Sequence, residues 1–233
     1  MPNTDTDTST PTRPLRVAIC GEVSSGKSAL ANAIARGVFL PDLFGITHNT
    51  VLRLSHDAEH NWTGVFADGN TRELDPESPL PFEEGLSELV VQATSKTDHM
   101  KGIDLIELPA FNAETVTDDE IAQIAECDVL IWTTIGSQAW RLSEKTILDE
   151  FGTLLPKSRI LVATRADKFR SSKDREKVEA RLESETSDYF GAGHLLGVPP
   201  KLFLTPDDED SWSASGASDF VALIAQTLSL IHI

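Results

Sequence analysis

The chain has 233 residues, 40 % of them apolar, which suits one α/β domain with a substantial core and argues against disorder. Its formal net charge is −17, from 37 acidic and 20 basic side chains. That balance disfavours nucleic acid and anionic lipid as direct partners, because both need a basic patch.

Residues 1–14 are rich in Thr, Pro and Asp and read as a disordered tail without a signal peptide, leaving 15–233 as one domain. Leu15 to Cys20 is a short, mostly apolar strand. Gly21-Glu22-Val23-Ser24-Ser25-Gly26-Lys27-Ser28 follows, and fits G-x-x-x-x-G-K-[ST]. Ala29 to Ala35 then reads as a helix with Leu30 and Ile34 on one face. Val38 to Asn49 reads as a loop. Thr50 to Leu54 and Trp62 to Phe66 look like two paired strands joined by a polar connection of hairpin type. Asp68-Gly69 and Asp75 to Pro81 are turns, and Glu83 to Thr94 is expected to be a helix along Leu86, Leu89 and Val90.

Ile103 to Leu108 is the next strand, ended by Pro109. Thr117-Asp118-Asp119-Glu120 is a capping box that starts a helix, with Ile121, Ile124 and Ala125 facing inward. Asp128 to Thr133 is nearly continuous apolar, as a central parallel strand covered on both faces must be. Ser143 reads as an N-cap, flanked by Leu142 and Ile147 as a hydrophobic staple, and Gly152 ends that helix. Arg159 to Thr164 repeats the buried-strand pattern. Ser172 to Tyr189 is a charged helix, Lys201 to Leu204 a final strand, and Ser218 the cap of the last helix. The acidic run Asp207 to Asp210 reads as a solvated loop. Phe220 to Ile233, about 14 residues, is too short to cross a bilayer. Cys20 and Cys127 read as buried free thiols in a reducing cytoplasm. Trp132 and Trp140 read as packing residues, and neither His48 nor His56 is assigned a role.

Alternating strands and helices predict a mainly parallel sheet of about six to eight strands, with helices on both faces and ligands at the strands' carboxyl ends. At that end, Gly21 and Gly26 let backbone amides turn toward an anion, and the helix start adds partial positive charge. Lys27 would reach the β- and γ-phosphates and Ser28 would ligate Mg²⁺, with Ala29 continuing the cradle. The second informative element is Thr164-Arg165-Ala166-Asp167, which is similar to the [NT]-K-x-D element of GTPases. A carboxylate there accepts hydrogen bonds from guanine N1–H and the 2-amino group, and adenine offers neither. Arg165 stands where a lysine stem usually lies along the base.

Together these elements resemble the GTPase domain of the dynamin-like superfamily, in its bacterial branch, over Leu15 to Leu230. Gly21 to Ile34 is similar to the family's G-x-x-S-S-G-K-S-S-L-I-N-A-L. Gly45 to Thr50 resembles its first switch, Lys101 to Ala110 the strand that ends in D-T-P-G, and Asp128 to Glu150 the strand, loop and helix beyond the second switch. The resemblance implies a P-loop GTPase fold, Mg²⁺ held by Ser28, Thr50 and the carboxylate at Glu107, and catalytic roles for Lys27, Ser24 and Thr50. It implies that Ser24 helps hold a monovalent cation such as K⁺ when two GTPase domains pair. The partner would be a second copy or a related GTPase.

Three positions depart from the family. Glu107 replaces the Asp of D-T-P-G, Ala110 replaces its Gly, and Val23 stands where dynamins carry a water-positioning glutamine. Two functions therefore stay open: a slow Mg²⁺-dependent GTPase, or a GTP- and GDP-binding interaction module with little turnover. A small-molecule P-loop kinase is a third reading, weakened by the lack of an arginine-rich lid. The chain also stops after its last predicted helix, where membrane-remodelling dynamins continue into a helical stalk, so direct membrane insertion is not expected.

Overall fold

The computed structural model describes residues 13–37, 39–40, 49–76, 83–93, 97–111, 116–195, 209–214 and 216–231. In chain order they form β1 (Leu15–Gly21), α1 (Lys27–Ala35), β2 (Val51–His56), β3 (Asn61–Phe66), β4 (Thr71–Leu74) and β5 (Leu86–Ala93). Then come β6 (Ile103–Glu107), α2 (Asp118–Ala125), β7 (Val129–Ile135), α3 (Leu142–Phe151), β8 (Ser158–Thr164), α4 (Ser172–Thr186), β9 (Ala192–Leu195), α5 (Glu209–Ala214) and α6 (Ala217–Ile231).

The strands make one nine-stranded sheet in the order β4-β3-β5-β2-β6-β1-β7-β8-β9. From β6 to β9 every neighbouring pair is parallel. Strand β2 runs antiparallel to β6 and parallel to β5, and β3 and β4 continue as an antiparallel ribbon.

The central strands are apolar on both faces, and their period of two divides the core. Val17 and Ile19, Val129 and Ile131, and Ile160 and Val162 join α1 and α6 on one side. Ala18 and Cys20, Leu130 and Trp132, and Leu161 and Ala163 join α2, α3 and α4 on the other. Both cysteines are buried and free. The capping box stands as read: Thr117 Oγ1 accepts from Glu120 N–H at 3.3 Å, and Thr117 N–H donates back to Glu120 Oε2 at 2.7 Å.

Within the segment read as a helix, Leu86–Ala93 is instead strand β5. Its alternation is interrupted where Val65 pairs with Glu88 but Phe66 with Leu86, leaving Ser87 unpaired in a bulge. One extra residue turns the Leu86-to-Leu89 spacing from two into three, which mimics a helical period. β5 also lies between β2 and β3, so those two strands do not form a hairpin with each other. The hairpin is β3–β4, turning through Asp68-Gly69, with Gly69 at φ 83°. β4, β5 and β9 are thus additional to the strands read from sequence.

Three smaller expectations also change. Ala125 is exposed, because α2 is short and rests on the sheet mainly through Ile124. Helix α3 starts at Leu142 with Arg141 as N-cap, so Ser143 lies inside the first turn and Leu142 is 79 % exposed. Glu209 and Asp210 open α5 rather than lying in a loop. Gly45 to His48, Lys201 to Leu204 and residues 1–12 lie outside the described residues.

Candidate nucleotide-binding site

The loop between β1 and α1 leaves the sheet in the conformation that its glycines permit. Gly21 has φ 149° and Gly26 φ 98°, and Gly26 is the N-cap of α1. A Cβ on Gly21 would lie 2.5 Å from the Thr133 carbonyl oxygen and 2.6 Å from Ser25 Oγ. Gly21→Ala is therefore expected to cost at least about 1–3 kcal/mol, because a backbone oxygen cannot yield as a side-chain end can. A urea melt of the purified variant measures it. A hydroxyl pair braces the loop: Ser25 Oγ and Thr133 Oγ1 are 2.6 Å apart, and Thr133 donates to the Cys20 carbonyl at 2.9 Å.

Lys27 begins α1 and is 8 % exposed, with Nζ donating to the carbonyls of Gly21 and Glu22 at 3.3 Å each. Burial lowers its pKa, against the attraction of Glu107. Two long bonds to neutral carbonyls hold an ammonium loosely, so an arriving anion can displace them.

Glu107, at the end of β6, is 3 % exposed and accepts from Ser28 Oγ at 2.8 Å through Oε1. Its Oε2 is buried and has no hydrogen-bond partner among the described residues. Burial, outweighing Lys27 and Ser28, raises this carboxyl from 4.5 to about 7. A hydroxyl beside a carboxylate oxygen with an open lone pair is a hard donor set, and it fits a small divalent cation such as Mg²⁺. The native ligand-free state keeps a proton that the unfolded chain releases between about pH 4.5 and 7. Its stability therefore falls as pH rises through that window and levels off above it, by at most about 3 kcal/mol. Glu107→Gln should flatten this dependence, as thermal melts at pH 5 and pH 8 would show.

Beyond Glu107 the chain runs along the phosphate loop, with Leu108 N–H donating to Ile19 O at 3.1 Å and Phe111 N–H to Gly21 O at 3.3 Å. Ala110 is absent from the described residues with positive φ, so replacing glycine there imposes no backbone strain.

The Thr164–Asp167 loop meets the phosphate loop directly. Thr164 Oγ1 donates to Ser25 O at 2.6 Å, and Arg165, at φ 60°, donates from its guanidinium to Ser24 O at 2.9 Å. A Cβ on Gly26 would touch Thr164 Cγ2 at 3.2 Å. Arg165 thus braces the loop. Asp167 sits in the next turn, paired with the exposed Lys168 at 2.9 Å. Ser24 is exposed at φ 59°, Val23 is 49 % exposed, and Ala29 is half-buried in α1.

Thr50 lies at the same end of the sheet, because the antiparallel register pairs Leu52 with Glu107. Its hydroxyl donates to Leu86 O at 3.1 Å, on the β5 side of β2. Sequence reasoning missed Thr133, Arg141, Ser143 and Glu144. Glu144 is fully buried and takes Trp132 Nε1–H at 3.2 Å, Thr134 Oγ1–H at 3.0 Å and Arg141 N–H at 2.7 Å. The glutamate three residues after Arg141 was the available signal, and the neighbouring serine obscured it.

A β1–glycine-loop–α1 unit in a mainly parallel sheet, with the Thr164–Asp167 loop against it, defines a P-loop GTPase fold. A family profile described as the Dynamin family matches residues 17–187, well over half of the 233. The chain belongs to that family. Among solved structures it is similar to two described under an oligomerised bacterial dynamin pair that provides a mechanism for long-range sensing and tethering of membranes. They are 20 % and 16 % identical, with TM-scores of 0.67 and 0.62. Each match covers 92 % of this chain and 34 % of the other, so the chain spans about a third of their length. A bacterial selenocysteine-specific elongation factor, EF-Sec, shares the fold at 14 % identity and TM-score 0.50, over 93 % of this chain and 29 % of its own. No curated protein matches the sequence significantly.

Proposed function

We propose that the chain binds GTP and GDP and hydrolyses GTP to GDP, slowly alone and faster when paired with a second GTPase domain. The observation that carries this reading is the direct contact between the two loops, Thr164 on Ser25 and Arg165 on Ser24. It supports a site in which Asp167, two residues beyond Arg165, would select the purine of a nucleotide whose phosphates residues 21–28 would cradle. Lys27 would exchange the Gly21 and Glu22 carbonyls for β- and γ-phosphate oxygens, and loop amides would take developing negative charge. Ser28 and Glu107 would hold Mg²⁺, which supplies further charge neutralisation at the phosphates. Thr50, whose hydroxyl donates to Leu86 O, would be the further oxygen ligand.

Nothing at Val23 orients the attacking water: its side chain is alkyl and half-exposed. That observation favours the second reading, a nucleotide-dependent interaction module with little turnover. Phosphate release at high protein concentration, with GTP, Mg²⁺ and either K⁺ or Na⁺, separates the two. The first reading expects release well above a Lys27→Ala control and rising with protein concentration; the second expects no difference from that control. A K⁺ requirement would support cation binding by Ser24 at the paired face. The partner class is a second copy or a related GTPase, in line with the paired proteins that the fold resembles. Among the described residues no helix is long and apolar enough to cross a membrane.

A further inference from the structure

Glu22 puts a carboxylate inside a loop whose other groups suit an anion, which is unfavourable electrostatics for a phosphate cradle unless something cancels it. The structure cancels it. The Glu22 side chain is 14 % exposed and meets the guanidinium of Arg141, the N-cap of α3, and the hydroxyl of Ser143 in its first turn. Arg141 is itself held, its backbone N–H donating to the buried Glu144. The Glu22 carbonyl, on the same residue, accepts from Lys27 Nζ and from Ser25 N–H at 3.3 Å each. One residue therefore ties the start of α3 to the carbonyl that the phosphate-binding lysine rests on. The Arg141 side chain is 40 % exposed, but Glu22 is largely enclosed and has a second partner in Ser143, which sets this pair apart from one between two exposed chains.

We propose that Arg141 is a positioning residue for the phosphate loop: it neutralises Glu22 and anchors it, so affinity for a nucleoside polyphosphate is set partly from α3. The inference rests on the reading of residues 21–28 as a polyphosphate site. Removing the guanidinium leaves a bare carboxylate near the phosphates, and at an effective dielectric of about 20 that repulsion is worth about tenfold in affinity. The harm lies in the uncancelled charge, so removing Glu22's charge as well should repair it.

The test is titration of fluorescent GTP and GDP against the full chain and its R141A, R141Q, R141K, E22Q, E22Q/R141A and K27A variants, at low and moderate salt, with a thermal melt of each. R141A and R141Q are expected to bind about tenfold more weakly, most markedly at low salt. R141K and the double variant should return to within about threefold of the parent. A purely structural role would move melting temperatures without this charge-dependent rescue. If R141A and R141Q bind as the parent does, or the double variant is no better than R141A, the proposal is overturned. A parent protein that binds no better than K27A removes the polyphosphate reading itself, and this inference with it.

Discussion

Lys27→Ala is expected to lower affinity for GTP and GDP alike by about 10²–10³-fold, the usual consequence of removing one partner from a desolvated charge pair. The ammonium is nearly buried, with its pKa already lowered by desolvation, so its charge acts at close to full strength on a bound polyphosphate. Titration with fluorescent nucleotide reads this directly. Equal affinity in parent and variant would mean that the loop does not hold phosphates.

Asp167→Ala should abolish discrimination rather than binding. The parent is expected to prefer GTP over ATP by about 10²-fold or more, because a carboxylate placed for guanine N1–H and its amino group is left unpaired by adenine. In the variant the two nucleotides should bind within about tenfold of each other, through the phosphate contacts that they share. The ion pair to Lys168 is half-exposed and contributes little, so Lys168→Ala should leave the preference intact. Competition of GTP and ATP against one fluorescent probe measures the ratio. An unchanged ratio in Asp167→Ala would remove the guanine assignment while leaving the phosphate site standing.

Much of the site is legible in sequence because its parts are local. The positions of Gly21, Gly26, Lys27 and Ser28 follow from a run of eight residues, and the structure places them at one strand–loop–helix junction with positive φ at both glycines. The strand end carrying Glu107 and the turn carrying Asp167 are legible for the same reason. What failed was non-local. Leu86, Leu89 and Val90 carry a helical spacing only because Ser87 bulges out of register with β3, and nothing within that segment reports on β3. Ser143 satisfies a capping rule by type, yet its hydroxyl goes to Glu22 in the phosphate loop. The partner of the Thr50 hydroxyl, Leu86 O on the opposite side of β2 from Glu107, was likewise not readable from its own segment.

By itself, then, the sequence determined the glycine loop, the doubly buried central strands and the Thr117 cap, since each depends on neighbours within a few residues. The tertiary structure decided that β5 enters between β2 and β3, that Glu107 keeps one oxygen without a partner among the described residues, and that Arg141 and Ser143 hold Glu22. Sheet order and the pairing of buried charges depend on groups far apart along the chain, and only folding brings those groups within hydrogen-bonding distance.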